Sequence, residues 1–331
     1  MKQLLAGVGA VLLVVGAVLL RGQLDGDDAG GDGGSSSVVC PPDIADQCQT
    51  LADDHTVEIE PAAETADLLA AGDGDAGDID AWIVPRPWVE WVVAESDDAA
   101  VGEPSESIAR SPVALVVYTD RAQALEAGPC RGTVGWRCLG DAADRPWAEV
   151  GGEAAWGRVK AGLVDPTSAT GMIVLGGATA GFFDSADYAS NDFGGELTGW
   201  LGALGATAQE AAAGDPVTRM LTRGPGEFAA VGALEVDARQ AAGRDNLRVL
   251  YPAPVATADL VVVPVDGATG VAADVSDDGE LRQSLAEAGW RVEGEPLADG
   301  VDPDLELPDD DGLPSGPVLR ALVVRWTEAT G

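Results

Sequence analysis

Lysine is almost missing from this chain. Lys2 and Lys160 are the only two in 331 residues, and arginine raises the basic total to just 19 against 56 acidic residues, a formal charge of −37. Nucleic-acid binding is thereby disfavoured, because each phosphate contact calls for a Lys or Arg and none are clustered. Docking on an anionic lipid surface is opposed for the same reason. Histidine is scarcer still. His55 is the only one, in Asp53-Asp54-His55, and it reads as a solvated turn residue rather than a catalytic base. One histidine and four cysteines without CxxC spacing leave little for a zinc site. GxSxG, the phosphate-binding P-loop and HExxH are all absent. With 56 carboxylates some neighbouring acids are inevitable, so no glycosidase-type pair stands out. No cofactor is expected.

The cysteines fall as Cys40/Cys48 and Cys130/Cys138, each pair eight positions apart. Two local disulfides in an oxidising compartment are the expected use. Pairings that cross between the two halves, and free structural thiols, are the alternatives.

The one long apolar run is Leu4 to Leu20, 17 uncharged residues between Lys2 and Arg21. It suits a signal peptide or a short membrane anchor. No small-x-small cleavage site follows it, so residues 1–21 are read as an uncleaved N-terminal hydrophobic helix with the acidic body outside the cell membrane. Residues 22–37, rich in Gly, Asp and Ser, form a flexible linker. A length of 331 residues then argues for roughly two domains.

From Val38 onward the pattern is α/β. Strands are predicted at Thr56–Ile59, Ile79–Val84, Ser111–Tyr118, Ala161–Val164, Phe228–Val236 and on both sides of Pro252-Ala253-Pro254, with Pro112 at the start of its strand. Helices are predicted at Glu64–Ala71, from Trp88, Trp147–Val159, Ala169–Phe183, Gly195–Ala212 and Ser276–Ala288, and a helix or strand at Leu319–Thr327. Gly72-Asp73-Gly74-Asp75-Ala76-Gly77 matches GxGxxG by letter only. It follows a helix and precedes a strand, the reverse of a dinucleotide site, and its aspartates would repel pyrophosphate.

One stretch carries a local chemistry of its own. Ala161–Val164 is a short strand, Asp165-Pro166-Thr167-Ser168 a sharp turn, and Ala169 the start of a buried helix capped by Thr167 or Ser168. Free N–H groups and hydroxyls converge there, as at anion sites on helix N-termini. An ordinary capped helix is the plainer alternative. Trp82, Trp88 and Trp91 around Pro85-Arg86-Pro87 read as core packing, with a stacking surface as the alternative. Arg86 and Arg110 are candidate anion partners by charge.

Three stretches together resemble the type II periplasmic, or extracellular solute-binding, proteins that serve ABC importers. They are Ser111-Pro112-Val113-Ala114-Leu115-Val116-Val117, similar to a strand running from the first lobe into the second; Asp165-Pro166-Thr167-Ser168-Ala169-Thr170-Gly171, similar to a turn at the inter-lobe cleft; and Leu250-Tyr251-Pro252-Ala253-Pro254-Val255 to Val263, similar to the returning strand. The resemblance covers about residues 38–331. It implies two lobes joined by two crossing strands, 38–117 with 252–331 and 118–251, and a small solute held between them without catalysis. Ser111, Thr167, Ser168, Ala169, Thr170, Gly171 and Glu235 are then the candidate ligand-binding residues. Family members open with a strand bearing a ligand-contacting Ser or Thr; here that place is a weak strand near Ser35–Cys40 running into Cys40-Pro41-Pro42. The implied partners are an ABC importer or another membrane protein, the membrane itself through the N-terminal helix, and no nucleic acid; the body is expected to be monomeric. A sensor or interaction module on the same fold is the alternative function, and an enzyme the third.

Overall fold

The computed structural model describes residues 35–72, 78–96, 99–208 and 215–331. The hydrophobic run Leu4–Leu20 and the acidic loop 73–77 lie outside them. Among the described residues no helix is long and apolar enough to cross a membrane.

The apolar runs become buried strands, and two more polar segments, Thr56–Ile59 and Leu247–Leu250, join them at lower burial. These are β1 (Ser37–Cys40), β2 (Thr56–Ile59), β3 (Ile79–Pro85), β4 (Ala109–Tyr118), β5 (Ala161–Leu163), β6 (Ala230–Leu234), β7 (Leu247–Leu250) and β8 (Thr257–Pro264). They are hydrogen-bonded in the order β2-β1-β3-β8-β4-β6-β5, with β7 also on β4. β1 runs parallel to β2 and β3, as β5 does to β6, whereas β8 is antiparallel to β3 and β4. Parallel neighbours need crossovers, and helices supply them. The helices of the first part are α1 (Ala45–Cys48), α2 (Ala62–Ala71), α3 (Arg86–Glu95), α4 (Thr119–Ala127) and α5 (Trp136–Ala142). Then come α6 (Ala169–Phe183), α7 (Gly195–Ala208), α8 (Pro216–Arg223) and α9 (Glu235–Ala238). The chain ends with α10 (Thr269–Ser276), α11 (Gly279–Ala288) and α12 (Gly316–Thr330).

β4 is the strand on which two lobes meet. Ala109 to Pro112 pair with β8, while Val113 to Val117 pair with β6 and Leu115 to Tyr118 with β7. Pro112, expected at the strand start, instead sits inside the strand where the partner changes. Its missing N–H falls where the β8 ladder ends, so no ladder bond is lost.

α6 is apolar all round, and 13 of its 15 residues are buried. Such a helix must be covered on every side. It touches α5 and β6 of one lobe, β3 and β8 of the other, and α12. Gly177 permits the closest approach: a Cβ there would stand 2.9 Å from Ala256 Cβ and 3.1 Å from Val113 Cγ2, at the strand crossing. α12 packs on both α3 and α7, so the lobes share buried surface beyond the crossing. Trp82, Trp88 and Trp91 are all in this core, none more than 8% exposed.

Both local disulfides form, Cys40–Cys48 and Cys130–Cys138. Each closes a short loop, worth about 2–3 kcal/mol of unfolded-state entropy in the chain model.

Some elements differ from the sequence reading. Trp147–Val159 is two 3-10 turns, Trp147–Glu149 and Ala154–Trp156. Gly151 and Gly157, both at positive φ, end the helical path, and Trp147 and Trp156 pack on the Arg121 guanidinium instead. The strand expected to reach Val236 stops at Leu234, and α9 begins at Glu235. Ser276–Ala288 splits, because Asp278 caps a fresh helix by accepting from Leu281 N–H at 2.7 Å. α12 settles the final segment as helix.

Gly177→Val is expected to destabilise the fold by about 2–3 kcal/mol, since the added methyls have no room at the crossing. Urea denaturation followed by tryptophan fluorescence checks this; a midpoint equal to the wild type would mean the crossing is loosely packed.

Candidate functional site

The turn Asp165–Ser168 and the start of α6 are fixed by their own side chains. Asp165 Oδ1 accepts from Thr167 N–H at 2.9 Å and from the Thr167 hydroxyl at 2.8 Å. Ser168 is the N-cap, its Oγ accepting from Gly171 N–H at 3.0 Å. Gly171 is required by space: a Cβ there would overlap the Asp165 carbonyl oxygen. The Ala169 carbonyl accepts from the Trp88 indole at 3.1 Å, which ties this helix end to α3 in the first lobe.

Thr170 makes a second contact between the lobes. Asp43, in the 3-10 turn Pro42–Ile44 after β1, accepts from Thr170 N–H at 3.3 Å and, through the same oxygen, from the Thr170 hydroxyl. A carboxylate at a helix N-terminus is favoured by the exposed N–H groups and the helix dipole. The anion position predicted at α6 is therefore filled by the chain's own Asp43.

A cavity of about 950 Å³ opens beside this contact. Of the predicted residues, Ser168 and Thr170 line it. Thr167 is directed into its own turn, and Ala169 and Gly171 are buried in the helix. Ser111 and Glu235 do not line it. The Ser111 hydroxyl accepts from Val236 N–H at 3.1 Å, joining β4 to α9. Glu235 is fully buried and receives Arg291 through two bonds of 2.7 and 2.9 Å, the Tyr251 hydroxyl at 2.5 Å and Asp302 N–H at 3.1 Å. The residue expected to face a solute is instead a structural anchor. Arg86 and Arg110, expected as anion partners, are taken up internally as well: Arg86 pairs with Asp259 at 2.9 Å, and Arg110 donates to the carbonyls of Pro308 and Asp310 at 2.9 and 2.7 Å.

The cavity is acidic. Asp43, Asp46, Asp165, Asp215 and Asp237 line it, with Arg239 the one basic residue among the described lining. Arg239 donates to the carbonyls of Ala288 and Asp299 at 2.8 and 3.3 Å. Asp215 caps α8, accepting from Val217 N–H, Thr218 N–H and the Thr218 hydroxyl. Asp237 is pushed up from 3.8 to about 7, first by burial and then by the charges of Asp215 and Asp43, against a smaller opposing effect of Arg239. Sequence reading missed Asp43, Asp215 and Asp237. For Asp215 a signal existed: Asp-Pro ahead of a helical stretch is an N-cap pattern. Asp43 and Asp237 come near each other only through the tertiary fold.

Arg291→Ala is expected to cost about 3–5 kcal/mol, because it leaves the buried Glu235 carboxylate without its counter-charge. A Glu235→Gln/Arg291→Met pair should recover part of the loss. Chemical denaturation of the three variants checks both. A second expectation concerns pH. Between pH 3.8 and about 7 folded Asp237 holds a proton that the unfolded chain releases, so its contribution to stability falls as pH rises through that window and is level above it. Asp311, pushed up to about 6 by burial, adds the same sign over a narrower window. Asp237→Asn should flatten the dependence of Tm on pH, most clearly from pH 6 to 7. Parallel slopes for wild type and variant would contradict the raised Asp237.

No family model matches the sequence, and no curated protein matches it. Solved structures do. The periplasmic binding protein P5PA is 15% identical, with 90% of this chain and 100% of that one covered at a TM-score of 0.57. AfuA from Actinobacillus pleuropneumoniae, solved with exogenous fructose-6-phosphate bound, is 12% identical over 89% of this chain and 98% of its own, at 0.57. Iron-bound HitA from Pseudomonas aeruginosa is 13% identical over 90% and 98%, at 0.52. Likeness at such identities is likeness of fold, and it extends over nearly the whole of each chain. With its two α/β lobes and β4 passing from one to the other, this chain has the type II periplasmic-binding-protein fold.

Proposed function

We propose that the chain is an extracytoplasmic solute-binding protein that holds a small solute, without catalysis, between lobes made of residues 38–117 with 252–331 and of 118–251. The observation that carries this reading is the roughly 950 Å³ cavity between the turn after β1 and the N-terminus of α6, with polar groups from both sides. A volume of that order suits a small ligand. Its lining argues against a free anion, since Asp43 already occupies the helix N-terminus and further carboxylates surround it. Ser168, Thr170 and Asp237 are the residues proposed to meet the solute. Residues 1–21 serve as the membrane anchor and 22–37 as the spacer in this reading. An ABC importer is the proposed partner.

A second reading has its own support. Ser111, Glu235 and Asp43 make their hydrogen bonds within the chain, as in a fold retained as an interaction or sensor module for another membrane protein.

A thermal-shift panel of sugars, amines, amino acids, metal ions and oxyanions separates the two. Under the first reading one class raises Tm by about 5 °C or more at saturation, and Thr170→Ala removes that rise. Absence of any shift, together with a co-purifying membrane protein, would favour the second.

A further inference from the structure

The walls of the cavity beside Thr170 are held against each other. The Trp88 indole donates to the Ala169 carbonyl, and α6 packs on strands of both lobes. A solute therefore meets the lining as it stands. What the lining leaves unsatisfied is what the solute has to supply.

Two carboxylates of the lining are unclaimed. Asp46 lies on α1, between β1 and β2, and Asp237 on α9, directly after β6. Neither has a hydrogen bond or ion pair among the described residues. The other three acids are partly used, Asp43 by Thr170, Asp165 by Thr167 and Asp215 by Val217 and Thr218. Arg239 is held to the carbonyls of Ala288 and Asp299 and answers neither unclaimed acid by a hydrogen bond. Among the described residues, no three His, Cys, Asp or Glu converge as a metal ion requires. Positive charge is thus wanted at separate points around the cavity, not at one centre. Burial and the charges of Asp215 and Asp43 raise Asp237 to about 7. An ammonium group beside it offsets those charges and favours its ionised form.

Trp290 adds a different need. Its backbone N–H donates to the Leu285 carbonyl at 3.0 Å, and the next residue bridges to Arg110 on β4. The side chain lines the cavity and is only 2% exposed. Its indole N–H is a donor that cannot accept, and it has no acceptor among the described residues. Buried donors ordinarily find one. In the same lining, the Ser168 oxygen accepts from Gly171 N–H and its own proton remains to be given. An ammonium group cannot accept from either donor, whereas a hydroxyl oxygen can.

Given the binding reading, on which this rests, we propose that the cavity takes a solute with two or more ammonium groups on a hydroxylated frame, the chemistry of a multiply aminated sugar. Asp46 and Asp237 receive the ammonium groups, and Trp290 donates to a hydroxyl oxygen between them. The cavity of about 950 Å³ lies toward the upper end of small-molecule sites, so it has room for a frame of more than one ring.

Isothermal calorimetry on the full chain in mild detergent, at physiological salt, tests this with three probes. Neamine carries several amines on a hydroxylated frame, spermidine carries amines alone, and trehalose carries hydroxyls alone. Neamine is expected to bind one per chain, spermidine about tenfold more weakly, and trehalose not measurably. Asp46→Asn and Asp237→Asn should each weaken neamine about tenfold. Asp274→Asn, at an exposed position on α10 outside the cavity, should leave it unchanged. Trp290→Phe keeps an aromatic ring and loses the N–H, so neamine should fall toward spermidine. The ammonium sites are overturned if Asp46→Asn and Asp237→Asn weaken neamine no more than Asp274→Asn does, the result for diffuse attraction to an acidic surface. The hydroxyl contact is overturned if spermidine binds as tightly as neamine, or if Trp290→Phe leaves their ratio unchanged. Near-ultraviolet circular dichroism verifies folding of each variant. Binding of trehalose or another panel solute, sensitive to Thr170→Ala, without binding of neamine would remove this solute class and leave the binding reading standing. If nothing binds, both fall.

Discussion

A carboxylate sealed from water must be given its counter-charge and its hydrogen bonds inside the protein, and Glu235 is where this chain meets that demand. The groups that satisfy it come from far apart in sequence. Arg291 arrives from beyond α11, Tyr251 from the connection between β7 and β8, and Asp302 from the loop before α12. Arg291 also bonds through its backbone to Arg110 on β4, N–H to carbonyl in both directions, at 2.9 and 2.8 Å. The ion pair thus fixes the C-terminal segment across the strand that both lobes share. A buried pair of this kind adds little net stability over an apolar replacement, but it leaves few alternative arrangements that satisfy its charges.

Sequence reading reached the fold where local chemistry and tertiary need agree. Ser111–Tyr118 was legible because a short apolar run rich in valine and opened by proline suits a buried strand. The Asp165–Ser168 turn was legible because Pro and two hydroxyls dictate a capped helix start. It failed where packing overrides pattern. Trp147–Val159 looks helical by its apolar spacing, yet Gly151 and Gly157 take positive φ and the two tryptophans close on Arg121. Glu235 resembled a strand residue facing one side or the other; only the distant Arg291 makes its burial tolerable. The cleft was legible from its second-lobe half alone. Nothing local marks Asp43 as the residue that reaches Thr170, because 127 positions separate them.

The excess of acid shapes the cleft as well as the surface. Arg86, Arg121, Arg137, Arg158, Arg219, Arg248 and Arg291 are each paired with a carboxylate of this same chain. Positive charge is thus consumed in holding elements together, and the cavity receives little of it. The electrostatic character of the site follows from composition as much as from the placement of individual residues.

The Cys40–Cys48 disulfide has a consequence for recognition. Pro42, Asp43, Asp46 and Gln47, the residues that the β1–β2 connection contributes to the cavity, all lie inside the ring that this bond closes. A covalent ring narrows the shapes its members can explore before anything binds. One wall of the cleft is consequently preorganised by oxidation, so less conformational entropy remains to be lost there on binding. The opposite wall gets its order from α6, which is rigid because it is buried. Two unrelated means, a covalent one and a packing one, thus prepare the two faces for each other.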